Sequence, residues 1–120
     1  MKVAILLLSR YWHWLTAFIL SVITLLSLTP LPSLPEVPGS DKAHHLVAYG
    51  ALMFPAFISE QKFKFALMLV FALWSGGIEL IQPFVNRYGE WLDLAANICG
   101  LAIGAVLGWL FAKIYSINAD

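Results

Sequence analysis

The sequence predicts an all-α protein: a four-helix transmembrane bundle with antiparallel neighbours and both termini in the cytoplasm. Composition, segment length and the placement of basic residues carry that expectation. Hydrophobic residues make up 61% of the chain and charged residues 12%, whereas about 25% of a soluble domain is charged. So few charged side chains cannot cover the apolar surface of a soluble fold this small. Formal net charge is zero and there is no basic run, which excludes a nucleic-acid partner. Cys99 is the single cysteine, so no intrachain disulfide can form, and no Cys/His spacing suggests structural zinc.

A membrane span takes roughly 20 mostly apolar residues, and four stretches meet or approach that length within one domain, residues 1–120. The first helix is expected over residues 11–29, a run without a charged residue, with the stem of Arg10 snorkelling at the interface. Residues 1–9 are apolar apart from Lys2, which leaves the start of this helix open. No small-residue cleavage site follows the run, so it does not read as a removed signal peptide. Pro30, Pro32, Pro35 and Pro38 then hold a loop over residues 30–40 in an extended, non-helical form. The second helix, 43–59, has His44 and His45 at its start and Pro55 as an expected kink. The third, 65–84, is apolar except for Glu79 and Gln82, and the fourth spans 94–113. Apolarity is continuous rather than alternating, which argues against a β-barrel.

Orientation follows from the basic residues of the short loops. With a cytoplasmic N-terminus, that side carries Lys2, Arg10, Lys62, Lys64 and Lys113, five of the seven, and the other carries Lys42 and Arg87. The expected location is a membrane crossed several times, which in a bacterium is the inner membrane.

Ionisable groups at membrane depth are costly, by about 2.5–3.5 kcal/mol each on insertion scales, and here they are concentrated. Asp41, Lys42 and His45 open the second helix, with Tyr49 one turn below His45. Glu79 and Gln82 close the third helix on one face, and Asp93 and Asn97 open the fourth on one face. Given the alternating directions of the spans, all fall in the outer third of the bilayer together with Lys42 and Arg87. Ala96, Gly100, Gly104 and Gly108 form a small-residue ladder that admits a close helix neighbour. Gly76 and Gly77 are candidates for the facing surface, and the ladder is also a candidate oligomer contact. A metal set of His45, Glu79 and Asp93 is chemically conceivable, but no metal and no cofactor are expected.

Three motifs resemble those of the VanZ-like family of small bacterial integral membrane proteins. They are Asp41-Lys42-x-x-His45-Leu46-x-x-Tyr49-Gly50, Gly76-x-x-Glu79-x-x-Gln82-x-Phe84-x-x-Arg87 and Asp93-x-x-x-Asn97-x-x-Gly100-x-x-x-Gly104. Glu90 and Trp91 depart from the small or hydroxyl residues usual before the last motif. The resemblance implies a cell-envelope location and, through the member that named the family, a possible link to resistance against the glycopeptide teicoplanin. It supplies a topology rather than a mechanism.

From the residues themselves, the expected function is binding or processing of a lipid head group or a lipid-linked wall precursor at the outer leaflet. His45, Glu79 and Asp93 are the candidate acid/base groups, and whether the protein is an enzyme stays open. Asp41, Lys42, Tyr49, Gln82, Arg87 and Asn97 are the candidate ligand-binding residues, with Lys42 and Arg87 as anion holders. The alternative is a non-catalytic accessory or assembly protein whose polar cluster joins the helices. Cysteine labelling in intact cells tests the orientation. A cysteine at Glu36 should react with an impermeant reagent and one at Gln61 should not; the reverse pattern inverts the topology.

Overall fold

The computed structural model describes residues 1–30, 40–59, 61–85 and 89–115. Most of the Pro-rich loop, residues 31–39, and Arg87 lie outside them. Among the described residues there are five α-helices and no strand: α1 (Lys2–Arg10), α2 (Trp12–Ser27), α3 (Asp41–Ile58), α4 (Lys64–Ile81) and α5 (Trp91–Ile114). A short 3-10 turn, Gln82–Val85, extends α4.

The chain before residue 11 is a helix of its own. α1 and α2 meet at Tyr11 with a bend of 75°, where the backbone leaves the helical region and the Arg10 guanidinium lies 5.7 Å from the Tyr11 ring centre. Lys2 and Arg10 bracket an apolar run too short to span a membrane, and one side chain of that run, Ile5, is buried. Two helical segments, Lys64–Val85 and Trp91–Ile114, are long and apolar enough to cross a membrane, and the bent α1–α2 pair makes a third if it counts as one span. α3 falls short because its first turns carry Asp41, Lys42, His44 and His45.

Large apolar side chains populate the exterior: Phe18, Leu25, Leu69, Leu73 and Val106 are all more than half exposed. Soluble surfaces rarely present such contiguous apolar area, so this exterior suits hydrocarbon. The interior is thin, with Ile23 of α2, Tyr49, Leu52, Met53, Ala56 and Phe57 of α3, Phe71 of α4, and Leu101 and Ala105 of α5 in one cluster.

The closest helix pair is α3 with α5, and glycines make it so. A Cβ at Gly100 would collide with the Leu46 carbonyl oxygen, and one at Gly104 with that of Gly50. A Cβ at Gly108 would lie 2.6 Å from the Phe54 oxygen. The contacts advance in the same order along both helices, one turn at a time. The ladder is therefore taken up by α3 within the chain, and Gly76 and Gly77 are not its partners: a Cβ at either would meet nothing within 4 Å. Contacts between α4 and α5 advance in opposite order, with Ser75 at Asn97 and Glu79 at Glu90.

The difference predicts opposite outcomes for one substitution. Gly104→Ala should destabilise the protein by about 1–3 kcal/mol through overpacking. Gly76→Ala and Gly77→Ala should be neutral or stabilising by up to about 1 kcal/mol, because alanine is the better helix former. Thermal unfolding in detergent reads both.

Candidate functional site

Two helix starts converge at one end of the α3–α5 pair. Ser40 caps α3 by accepting the Ala43 N–H at 3.1 Å, which places Asp41 and Lys42 in the first turn and His45 one turn further. α5 begins at Trp91, and the Asp93 N–H donates to the Glu90 carbonyl at 3.0 Å, so Asp93 lies in its first turn with Asn97 one turn on. The partial positive charge of both helix starts suits Asp41 and Asp93.

Chain entry into α5 is constrained by α4. A Cβ at Gly89 would run into the Glu79 carbonyl, so only glycine lets the backbone cross α4 there. One residue later the Glu90 N–H donates to Glu79 Oε2 at 2.9 Å. Glu79 is buried, and its Oε1 has no partner among the described residues.

Lys42 is the hub of the ion pairs. Its ammonium contacts Asp93 Oδ1, lies 2.7 Å from Glu90 Oε2 and 3.7 Å from Asp41 Oδ2. Three carboxylates thus face one ammonium, and the group is net acidic. Asp93 is the enclosed member, with 6% of its side chain exposed, whereas Glu90 is 52% exposed. Lys42 accordingly neutralises a buried carboxylate on one side and holds an exchangeable one on the other.

A second chain of contacts fixes His45. Asn97 Nδ2 donates to Ser75 Oγ at 2.6 Å, which turns its carbonyl oxygen toward the imidazole. His45 Nδ1 donates to that oxygen at 2.8 Å. Nε2 then faces Asp41 Oδ1 and Asp93 Oδ2, 3.7 Å from each. Tyr49 is buried beside Ser75.

The structure brings Asp41, Lys42, His45, Asp93 and Asn97 together, with Glu79 beneath Glu90 and within electrostatic reach of Asp93, His45 and Lys42. Gln82 stands apart: its Nε2 donates to the Ser27 carbonyl at 3.1 Å and ties α4 to the end of α2, while its Oε1 is buried without a partner among the described residues. Ser75 and Glu90 belong to the cluster although neither is among the residues expected from sequence. The conceivable metal set changes as well. One Glu79 oxygen is held by the Glu90 N–H, and the donor atoms that approach within 4.8 Å of one another are those of Asp41, His45 and Asp93. A groove of about 560 Å³ opens elsewhere, between α2 and α4, along Leu20, Thr24, Leu28 and Trp74, and none of the expected site residues lines it.

The sequence model of the VanZ/LLP1 family matches residues 3–112. The chain belongs to the VanZ/LLP1 family. The match covers all three motifs and both helix starts that form the cluster. Comparison with the curated proteins and with the solved structures gives no match. Within this VanZ/LLP1 protein the polar cluster is the one place where ionisable side chains from three helices meet among the described residues.

Asn97 links the His45 imidazole to Ser75, and its replacement strands both. Asn97→Leu should cost about 1–3 kcal/mol, the range for leaving buried polar groups unpaired, while Ser75→Ala should cost less because one bond is lost. Thermal unfolding of the two variants in the same detergent checks the ranking.

Proposed function

We propose that this protein is a multi-pass protein of the bacterial inner membrane, with both termini cytoplasmic, that binds or processes the polar head of a lipid or lipid-linked wall precursor at its outer face. One observation carries the reading: an otherwise apolar molecule gathers Asp41, Lys42, His45, Glu79, Glu90, Asp93 and Asn97 at one level, contributed by α3, α4 and α5. Lipid-facing placement of such groups is disfavoured, and joining three helices needs fewer of them. The five-to-two distribution of basic residues supports the orientation, which sets the cluster at the outer leaflet. His45 Nδ1 is fixed by Asn97, which leaves Nε2 turned to the carboxylates of Asp41 and Asp93. An anionic head would reach Lys42 by displacing Glu90, its half-exposed partner, and Arg87 would serve as the second cation.

A specific observation favours the accessory reading as well. Lys42 is matched by carboxylates, and Asn97 by His45 and Ser75, as in a cluster that only joins helices. The two readings separate on Glu90. If an anion competes with Glu90 for Lys42, Glu90→Gln should strengthen binding of phosphatidylglycerol roughly two- to fivefold, the range of an exposed ion pair. Lys42→Met should abolish it. Native mass spectrometry of protein released from nanodiscs of phosphatidylglycerol and phosphatidylcholine measures both. Equal lipid retention by wild type and both variants would leave the accessory reading standing.

A further inference from the structure

We propose that Asp41 Oδ1, His45 Nε2 and Asp93 Oδ2 form a binding site for one divalent cation, of which Zn²⁺ is the best fit. The two aspartates divide their oxygens in the same way. Asp41 turns Oδ2 to Lys42 and Oδ1 to His45, and Asp93 turns Oδ1 to Lys42 and Oδ2 to His45. Lys42 therefore orients both carboxylates from outside, and the inner oxygens converge with the imidazole nitrogen.

The spacing is wider than that of hydrogen-bonded partners and leaves room for an ion between the three atoms. Nε2 lies 3.7 Å from each inner oxygen, beyond hydrogen-bond range. Bonds of about 2.0–2.1 Å at a tetrahedral zinc centre separate ligand atoms by about 3.3–3.4 Å, so the two imidazole–carboxylate separations need shorten by only a few tenths of an ångström. All three donor atoms lie within 4.8 Å of one another.

The surroundings match those of a metal-bound histidine. Such an imidazole donates its other N–H to an oxygen acceptor that fixes tautomer and ring plane, and His45 Nδ1 does so to Asn97 Oδ1, itself held by Ser75. The charge also agrees, since Asp41, Glu90 and Asp93 outweigh Lys42. Beneath Glu90, Glu79 Oε1 is a buried carboxylate oxygen without a partner among the described residues. One nitrogen and two carboxylate oxygens leave a fourth position open, the arrangement of zinc sites that take water or substrate. Asp41 keeps 63% of its side chain exposed, so the set is reachable from solvent.

This deepens the head-group reading, because a bound cation in an acidic cluster gives a phosphate oxygen a place that Lys42 alone does not. The test is made on full-length protein in detergent, stripped with a chelator and free of added lipid. Titration with Zn²⁺ against a chromophoric chelator should show one ion per chain. His45→Gln and Asp93→Asn should weaken binding about 100-fold or more, and Asn97→Ala about tenfold, as loss of an orienting contact does. Asp41 is exposed, so Asp41→Asn should keep the fold by circular dichroism and still lose affinity. Co²⁺ should give the intense visible bands of a four-coordinate centre in wild type and not in Asp41→Asn. Zn²⁺ affinity in wild type equal to that of Asp41→Asn and His45→Gln would overturn the metal site. That result leaves the head-group reading to be decided by lipid retention.

Discussion

Everything at the polar end depends on how closely α5 approaches α3. Gly100, Gly104 and Gly108 face the carbonyl oxygens of Leu46, Gly50 and Phe54 at distances no Cβ could occupy. Contact at that depth fixes register as well as distance, because each glycine sits against one particular carbonyl. Followed back toward the helix starts, the same register sets Asn97 against His45 and Asp93 against Lys42. The site is thus the continuation of a packing pattern, and its geometry is determined by residues that carry no functional group.

On that frame the electrostatics follow a simple order. Two helix starts attract acidic residues, and three carboxylates within reach of one another would repel. The Lys42 ammonium reduces that repulsion from the side of the solvent. The inner oxygens of Asp41 and Asp93 remain turned toward His45, whose ring is held by a polar chain reaching through Asn97 to α4. Glu79 acts on the backbone instead. One of its oxygens holds the segment that leads into α5, at the point where Gly89 crosses α4.

Much of this is legible in the sequence because helical spacing is a local rule. Positions four apart share a face, so His45 with Tyr49 and Asp93 with Asn97 pair without knowledge of any tertiary contact. Which helix a face meets is not local. Gly76 and Gly77 look suitable as the ladder's partner, yet Gly50 and its neighbours on α3 are the partner. Ser75 escapes notice because one serine in an apolar helix reads as packing, although its place one turn before Glu79 is the available signal. Glu90 registers as a departure from the family pattern rather than as the second partner of Lys42, a long-range pairing that periodicity does not encode. The bend at Tyr11 is hidden in the same way, since a basic residue such as Arg10 suits an interface as well as a helix end.

The carbonyl-level seating of the glycines also limits how the molecule can move. Two helices locked in this way slide only by a whole turn, about 5.4 Å, since each glycine must find the next carbonyl. A step of that size would take Asn97 off His45 and Asp93 off Lys42 together. α3 and α5 therefore behave as one stiff strut. Among the described residues, α4 is tied to the strut by the Ser75–Asn97 bond, the Glu79 grip on Glu90 and the Phe65–Phe57 ring contact, while Trp74 and Gln82 bond to Thr24 and Ser27 of α2. The same rigidity holds the His45 ring, the Asn97 carbonyl and the Asp93 carboxylate in one fixed relation, since each pair spans α3 and α5.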